Sequence, residues 1–189
     1  MPTKFLEACR RGDKAHADAL IGLDVPGDWF DESDLIGARL TEFNDHPAYA
    51  KWGLRAVAFA DSRTMIGHVG FHSLPNPDYL HPYWPDAIEL AYTVYPQHRR
   101  SGHGFEAVSG LMRWALGCAS IRRFLVSVAA ENAASRALAT KLGFVKAEEY
   151  VDHESNERHL VYVLQGEELS RLTDEIDPDA RLPRRPDGI

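Results

Sequence analysis

The 189-residue chain is 44% apolar and 26% charged, a balance that suits one globular domain burying its own core. It excludes a collagen-like, fully disordered or disulfide-scaffold chain. The formal charge of −7 argues against general nucleic-acid binding. No apolar run reaches the roughly eighteen residues of a membrane span, and the opening MPTKFLEACRRGDK has no apolar signal core.

Residues 4–22 read as helix with a break at Gly12, since Phe5, Leu6 and Cys9, then Ala15, Ala19 and Leu20, recur at helical spacing. VPGDWFDES reads as loop, and Asp31 or Ser33 can cap a second helix over 33–44. Residues 53–60 and 64–73 read as two strands joined by a short turn. Residues 75–86 carry four prolines and are loop. Its aromatics Tyr79, Tyr83 and Trp84 either line a pocket or pin the loop. The clearest strand is AIELAYTVY, residues 87–95, with Ile88, Leu90, Tyr92 and Val94 on one face and Glu89, Ala91, Thr93 and Tyr95 on the other. A basic loop follows, then a helix whose core face is Phe105, Val108, Leu111, Met112, Ala115 and Leu116. RRFLVSVAA at 122–130 is a strand with little polarity, hence covered. Asn132 can cap a helix over 133–142, with Gly143 just past its end. Residues 144–151 and 158–165 read as an antiparallel pair, and a short helical stretch and a proline-rich tail follow Gly166. This order predicts a mixed α/β (α+β) fold around one sheet rather than a doubly wound parallel sheet.

The two cysteines, Cys9 and Cys118, form no CxxC pair, which makes a reducing cytoplasm the default location. Cys118, among apolar helix residues, is expected to be buried. His68 and His72 share a strand face but stand roughly 13 Å apart, too far for one zinc ion, so no metal is expected.

Chemistry concentrates between the strand at 87–95 and the helix after it. Residues 98–123 hold five arginines and one glutamate, a positive island in an acidic chain. In the segment VYPQHRRSGHG, Gly102 and Gly104 free the backbone to turn its N–H groups toward a ligand. The next helix adds unpaired N–H groups and the positive end of its dipole. Such a turn binds phosphate oxygens. Neither the GxxxxGK[ST] nor the GxGxxG spacing is present. A glycine-containing turn with solvated arginines explains the same letters equally well.

The spacing V-x4-R-x-x-G-x-G at Val94, Arg99, Gly102 and Gly104 resembles the pyrophosphate loop of the Gcn5-related N-acetyltransferases (GNAT superfamily). Residues 132–144, NAASRALATKLGF, resemble that family's second block, N-x-x-[AS]-x-x-L-x-x-K-x-G-F, which lies across one strand from the first. The likeness covers residues 50–166. It is strongest to the subgroup of ribosomal-protein alanine acetyltransferases, which also contains antibiotic and polyamine acetyltransferases. The resemblance implies a mostly antiparallel sheet flanked by helices, with a strand pair splayed at the cofactor site. It implies a single acetyltransferase domain over 1–170, followed by a helix end and tail over 171–189. Acetyl-coenzyme A is the implied cosubstrate and an amine the acceptor, with no nucleic-acid or membrane partner and a homodimer as a family-based expectation.

By position, Tyr92, Thr93 and Val94 would offer main-chain groups to the pantetheine arm. Arg99, Arg100, Ser101, Gly102, His103 and Gly104 would cradle the pyrophosphate. Asn132 would contact the arm, Ser135 would lie near the thiol, and Arg136 and Lys141 would reach outer phosphates. Many family members carry a tyrosine as acid to the leaving thiolate where this chain has Ala139. That leaves Ser135, a water or another tyrosine for the task, or no strong acid. It also leaves room for a non-catalytic acyl-coenzyme A sensor. The first strand of the family fold is not evident; the sheet begins at 53–60, or residues 2–6 supply a short strand. An alkylamine has a pKa near 10 and is mostly protonated at pH 7, so transfer needs a base. Glu89, a carboxylate within an apolar strand beside Ala91 and Thr93, is the candidate; a solvated strand face is the alternative reading.

Overall fold

The computed structural model describes residues 1–152 and 156–174. Its N-terminal third is helical: α1 (Thr3–Arg10), α2 (Lys14–Ile21), the short α3 (Gly27–Phe30) and α4 (Ser33–Asp45). Gly12, at φ +70°, divides α1 from α2, and the Asp13 carboxylate caps α2 by accepting the His16 N–H at 3.1 Å. No strand forms at residues 2–6, which enter α1. Ser33 begins α4 without capping it: Glu32 holds the cap position and its side chain makes no cap bond. The segment VPGDWFDES is more than loop, because α3 buries Trp29 completely. That ring stacks on Phe5 at 5.9 Å, meets His68 edge-on at 5.3 Å, and donates its N–H to Cys9 Sγ at 3.1 Å. Trp29 thus fastens the helical layer to the sheet. Trp29→Ala is expected to destabilise the fold by about 3–5 kcal/mol, read as a lower urea midpoint at an unchanged slope.

Six strands follow: β1 (Arg55–Ala58), β2 (Met65–Phe71), β3 (Ala87–Val94), β4 (Arg123–Ala129), β5 (Val145–Val151) and β6 (Arg158–Gln165). They form one sheet in the order β1-β2-β3-β4-β6-β5. Every pairing is antiparallel except β3 with β4. The parallel pair needs a crossover, and α5 (His103–Leu116) supplies it. α6 (Ala133–Lys141) joins β4 to β5, and α7 (Glu167–Asp174) closes the described chain.

The register of β3 is the feature that matters for function. Against β2 it pairs along residues 90–94, but against β4 it pairs only at Ala87, Ile88 and Glu89. Beyond Glu89 the two parallel strands separate, and β4 continues in register with β6 alone. The splayed pair implied by the resemblance is therefore present. It leaves one edge of β3 without a ladder over residues 90–94.

The core lies between the sheet and both helical layers, with Val108, Leu111, Met112 and Ala115 of α5 buried against it. Two sequence expectations change here. Phe105, read as core, is 36% exposed, because it lies in the first turn of α5 beyond the sheet, where the Lys141 ammonium sits 5.0 Å over its ring. Cys118, read as buried, is exposed, and the buried thiol is Cys9. Cys118 follows the end of α5, where the chain has left the sheet surface. Of the expected helix end and tail over 171–189, residues 175–189 lie outside the described residues. Among the described residues no helix is long and apolar enough to cross a membrane.

Candidate active site

β3 ends at Val94, a 3-10 turn spans Pro96–His98, and α5 begins at His103. Between them the chain makes an open bend. Arg100 and Gly102 have left-handed backbones, at φ +63° and +88°. Arg99 braces the bend by donating Nε–H to the Val94 carbonyl at 2.7 Å. Ser101 Oγ lies 3.4 Å from the Arg99 carbonyl. The Arg99 amide donates to the Pro96 carbonyl at 3.3 Å, and the next to find a partner is that of Glu106, which donates to the Gly102 carbonyl at 3.1 Å. Among the described residues, the N–H groups of residues 100–105 meet no acceptor. Unpaired amides at the start of a fourteen-residue helix, with arginines beside them, form an anion cradle. A Cβ built on Gly102 meets nothing within 4 Å, so the space above the bend is open to a ligand. At Gly104 a Cβ would lie 3.0 Å from Leu138 Cδ2. The second glycine therefore lets α5 start hard against α6. His103 is half-buried and packs its ring edge-on against Phe59 at 5.1 Å.

The other predicted cofactor residues gather around the same opening. Tyr92, Thr93 and Val94 lie half-buried on the splayed part of β3. Asn132 caps α6, its Oδ1 accepting the Ser135 N–H at 3.0 Å. Ser135 is half-buried, and its carbonyl accepts the Tyr92 hydroxyl at 3.2 Å. Burial pushes the Tyr92 phenol above its ordinary value, and the bond to Ser135 opposes that shift. Arg136 is half-buried with an Nε that has no partner. Lys141 reaches back over Phe105, which brings its ammonium to the first turn of α5. Ala139 is 1% exposed, packed in the core.

On the far side of β3, Glu89 stands half-buried at the last residue paired with β4. The Tyr79 hydroxyl of the proline-rich loop lies 3.5 Å from Glu89 Oε2. Partial burial of the ring and the Glu89 charge push that phenol up to about 12. His72, one residue past β2, donates its backbone N–H to the Glu89 carbonyl at 2.9 Å. Its ring meets Arg39 of α4, with 3.3 Å between Nη2 and Nδ1. Burial pushes Tyr49, which is hydrogen-bonded to Arg39, up to about 12 as well. His81, in the same loop as Tyr79, is exposed. Arg39 and Tyr49 were absent from the sequence reading. A signal existed: Ile36, Arg39, Leu40 and Phe43 fall on the buried stripe of α4, and a lone arginine on such a stripe marks a buried polar contact.

The splay therefore separates two chemically different regions: an anion cradle with a slot along β3 on one side, and a carboxylate with two hydroxyls and an imidazole on the other. The bend offers unpaired amide donors to an anion, and the unladdered edge of β3 offers backbone groups to an extended ligand.

Known proteins agree with this geometry. The family description acetyltransferase (GNAT) domain matches residues 14–145. The uncharacterized N-acetyltransferase YjdG of Bacillus subtilis is 25% identical over 149 residues, 76% of this chain and 80% of that protein. The ribosomal-protein-S5-alanine acetyltransferase of Vibrio fischeri is 19% identical and superposes with a TM-score of 0.55 over 68% of this chain and 69% of its own. The yncA protein of Salmonella typhimurium, solved with its cofactor acetyl-CoA, is 20% identical, with a TM-score of 0.54 over 77% and 78% of the two chains. The chain belongs to the acetyltransferase (GNAT) family and is an N-acetyltransferase with acetyl-coenzyme A as its cosubstrate.

Proposed function

We propose that this enzyme acetylates a primary amine, of a small molecule or of a peptide or protein N-terminus, by direct attack on the thioester with Glu89 as general base. The observation that carries the reading is the splay of β3 from β4 directly after Glu89. It offers a strand edge for the pantetheine arm that begins directly after the residue carrying the carboxylate. Acetyl-coenzyme A supplies an acyl group activated as a thioester. The amides and side chains of Arg99, Arg100, Ser101, Gly102, His103 and Gly104 hold its diphosphate. Arg136 and Lys141 add charge for the outer phosphates. The main chain of Tyr92, Thr93 and Val94 binds the arm, and Asn132 contacts it while capping α6. Backbone donors along β3 polarise the thioester carbonyl. Glu89 takes the proton that the amine must lose, and Tyr79 stays protonated at neutral pH and donates to it.

The acid that meets the leaving thiolate is the open position in the family pattern, since Ala139 is buried and carries no proton. Ser135 and Tyr92 stand together where the arm would end, and both hydroxyls are candidates. A thiol has an ordinary pKa near 8.5, so its thiolate needs less help than an alkoxide does. Tyr92→Phe is accordingly expected to lower kcat by roughly tenfold, below the usual span of acid catalysis, with coenzyme A affinity unchanged. A titration by calorimetry beside a turnover assay checks both halves.

The acceptor class is tested by thiol release from acetyl-coenzyme A with a panel of peptides, polyamines and aminoglycosides. At least one amine is expected to release thiol faster than water does, and a panel with no such amine would overturn the proposed acceptor class. The free thiols Cys9 and Cys118 suit a reducing, cytoplasmic setting.

A further inference from the structure

Arg39 has no task in the reaction as derived above. It is 6% exposed, a rare depth for a guanidinium. Nη1 donates to Glu42 Oε2 at 2.5 Å and to the Tyr49 hydroxyl at 2.8 Å, and Nη2 lies 3.3 Å from His72 Nδ1. The Tyr49 hydroxyl in turn donates to the carbonyl of Phe71, the residue before His72. Nε is buried without a partner. Desolvating a charge this far costs stability unless geometry compensates, and half of the arrangement is aimed at His72 and the strand end that carries it.

The contact decides the state of the imidazole. A guanidinium has five N–H donors and no lone pair, so the ring nitrogen facing it must be an acceptor. The His72 proton then sits on Nε2, and Nδ1 holds the lone pair. Protonating Nδ1 would break the bond and set two cations 3.3 Å apart. The backbone of His72 is bonded to Glu89. An imidazolium at this place would be drawn to the Glu89 carboxylate and occupy it.

We propose that Arg39 is a positioning residue, which holds His72 as the neutral Nε2–H tautomer and so keeps Glu89 free to take the proton of the incoming amine. The proposal rests on the reading of Glu89 as base. The titratable and charged groups around His72 are Arg39 and Glu42 from α4, Tyr49 from the 3-10 turn that follows α4, Glu89 from β3 and, beyond it, Tyr79 from the proline-rich loop. Although His72 keeps an exposed face, protein packed around its ring desolvates the imidazole and holds it below its ordinary value; Arg39 lowers it further, and Glu89 and Glu42 act against both. Without the guanidinium only desolvation still opposes the two carboxylates, and the ring takes up a proton at higher pH than in the wild type.

The test has two arms. Nitrogen-15 spectra of the imidazoles in the full chain, with His72 assigned by its loss in His72→Gln, are expected to show a neutral ring protonated at Nε2 at pH 7. An Nδ1–H tautomer or an imidazolium overturns the proposal, and this arm needs neither an acceptor nor a folded Arg39 variant. In the second arm, kcat/KM of Arg39→Met is followed against pH with the fastest amine of the panel. It is expected to fall by roughly threefold at pH 6, where an imidazole of ordinary pKa near 6.5 is mostly protonated, and to match the wild type at pH 8.5. Arg39→Lys, another donor without a lone pair, should recover much of the acid-side loss. A uniform loss across pH, or none, overturns the proposal. Full turnover in Glu89→Gln beside an Nε2–H signal would sink the reading of Glu89 and leave the tautomer standing. The opposite pair of results would sink the role of Arg39 alone.

Discussion

Gly102→Trp should abolish coenzyme A binding, weakening it by at least about a hundredfold, which is roughly 2.7 kcal/mol. The argument is one of space. A Cβ at this position points into a region with no protein atom within 4 Å, the region bordered by the unpaired amides of residues 100–105. An indole there would take the place of the diphosphate. Gly102 also has φ +88°, so any side chain brings strain of about 1–2 kcal/mol. Gly102→Ala carries that same strain with little added volume and separates the two effects. The alanine variant should lose thermal stability yet retain most of its affinity, whereas the tryptophan variant should lose both. Calorimetric titration with coenzyme A and a thermal melt of each variant give the comparison. Equal affinities in wild type and Gly102→Trp would remove the bend from the cofactor site.

Glu89→Gln should lower kcat/KM at pH 7 by about 10²–10⁴, the span of a lost general base, while coenzyme A affinity stays within about twofold. The amide keeps the shape and the neighbour Tyr79 but cannot accept the proton. The sign of the pH dependence follows from the acceptor. An alkylamine loses its own proton near pH 10, so the deficit of the variant should shrink as pH rises toward that value. A variant as active as the wild type at neutral pH would take Glu89 out of the mechanism. A deficit that stays constant to high pH would point to binding of the amine rather than its deprotonation.

Legibility in the sequence followed the range of the interaction. Strand β3 and helix α6 were read nearly to the residue, because alternation, the Asn132 cap and Gly143 at φ +89° are local signals. The bend at 99–104 was recognisable for the same reason, since glycine spacing and adjacent arginines are consecutive letters. Failures occurred where position in the fold outweighed pattern. Phe105 belongs to the apolar stripe of α5 by period, yet it lies in the first turn, beyond the reach of the sheet. The tryptophan of α3 was hidden in a stretch whose Pro, Gly and Asp letters say loop, and its burial depends on Phe5, Cys9 and His68, which are distant in sequence.

From its letters alone the chain determined a mixed sheet protein with a glycine-containing basic bend before α5 and the block order of an acetyltransferase, because backbone turns and hydrophobic periods are written within a few residues of each other. Tertiary structure alone decided that β3 and β4 part after Glu89, since each edge of β3 takes its register from a different strand that is separate in sequence. It also decided that Arg39 meets Tyr49 and His72, that Tyr79 meets Glu89, and that the His72 amide joins the two groups through the Glu89 carbonyl. Those five residues come from separate elements, and only packing of α4 and the proline-rich loop around the ends of β2 and β3 makes these contacts.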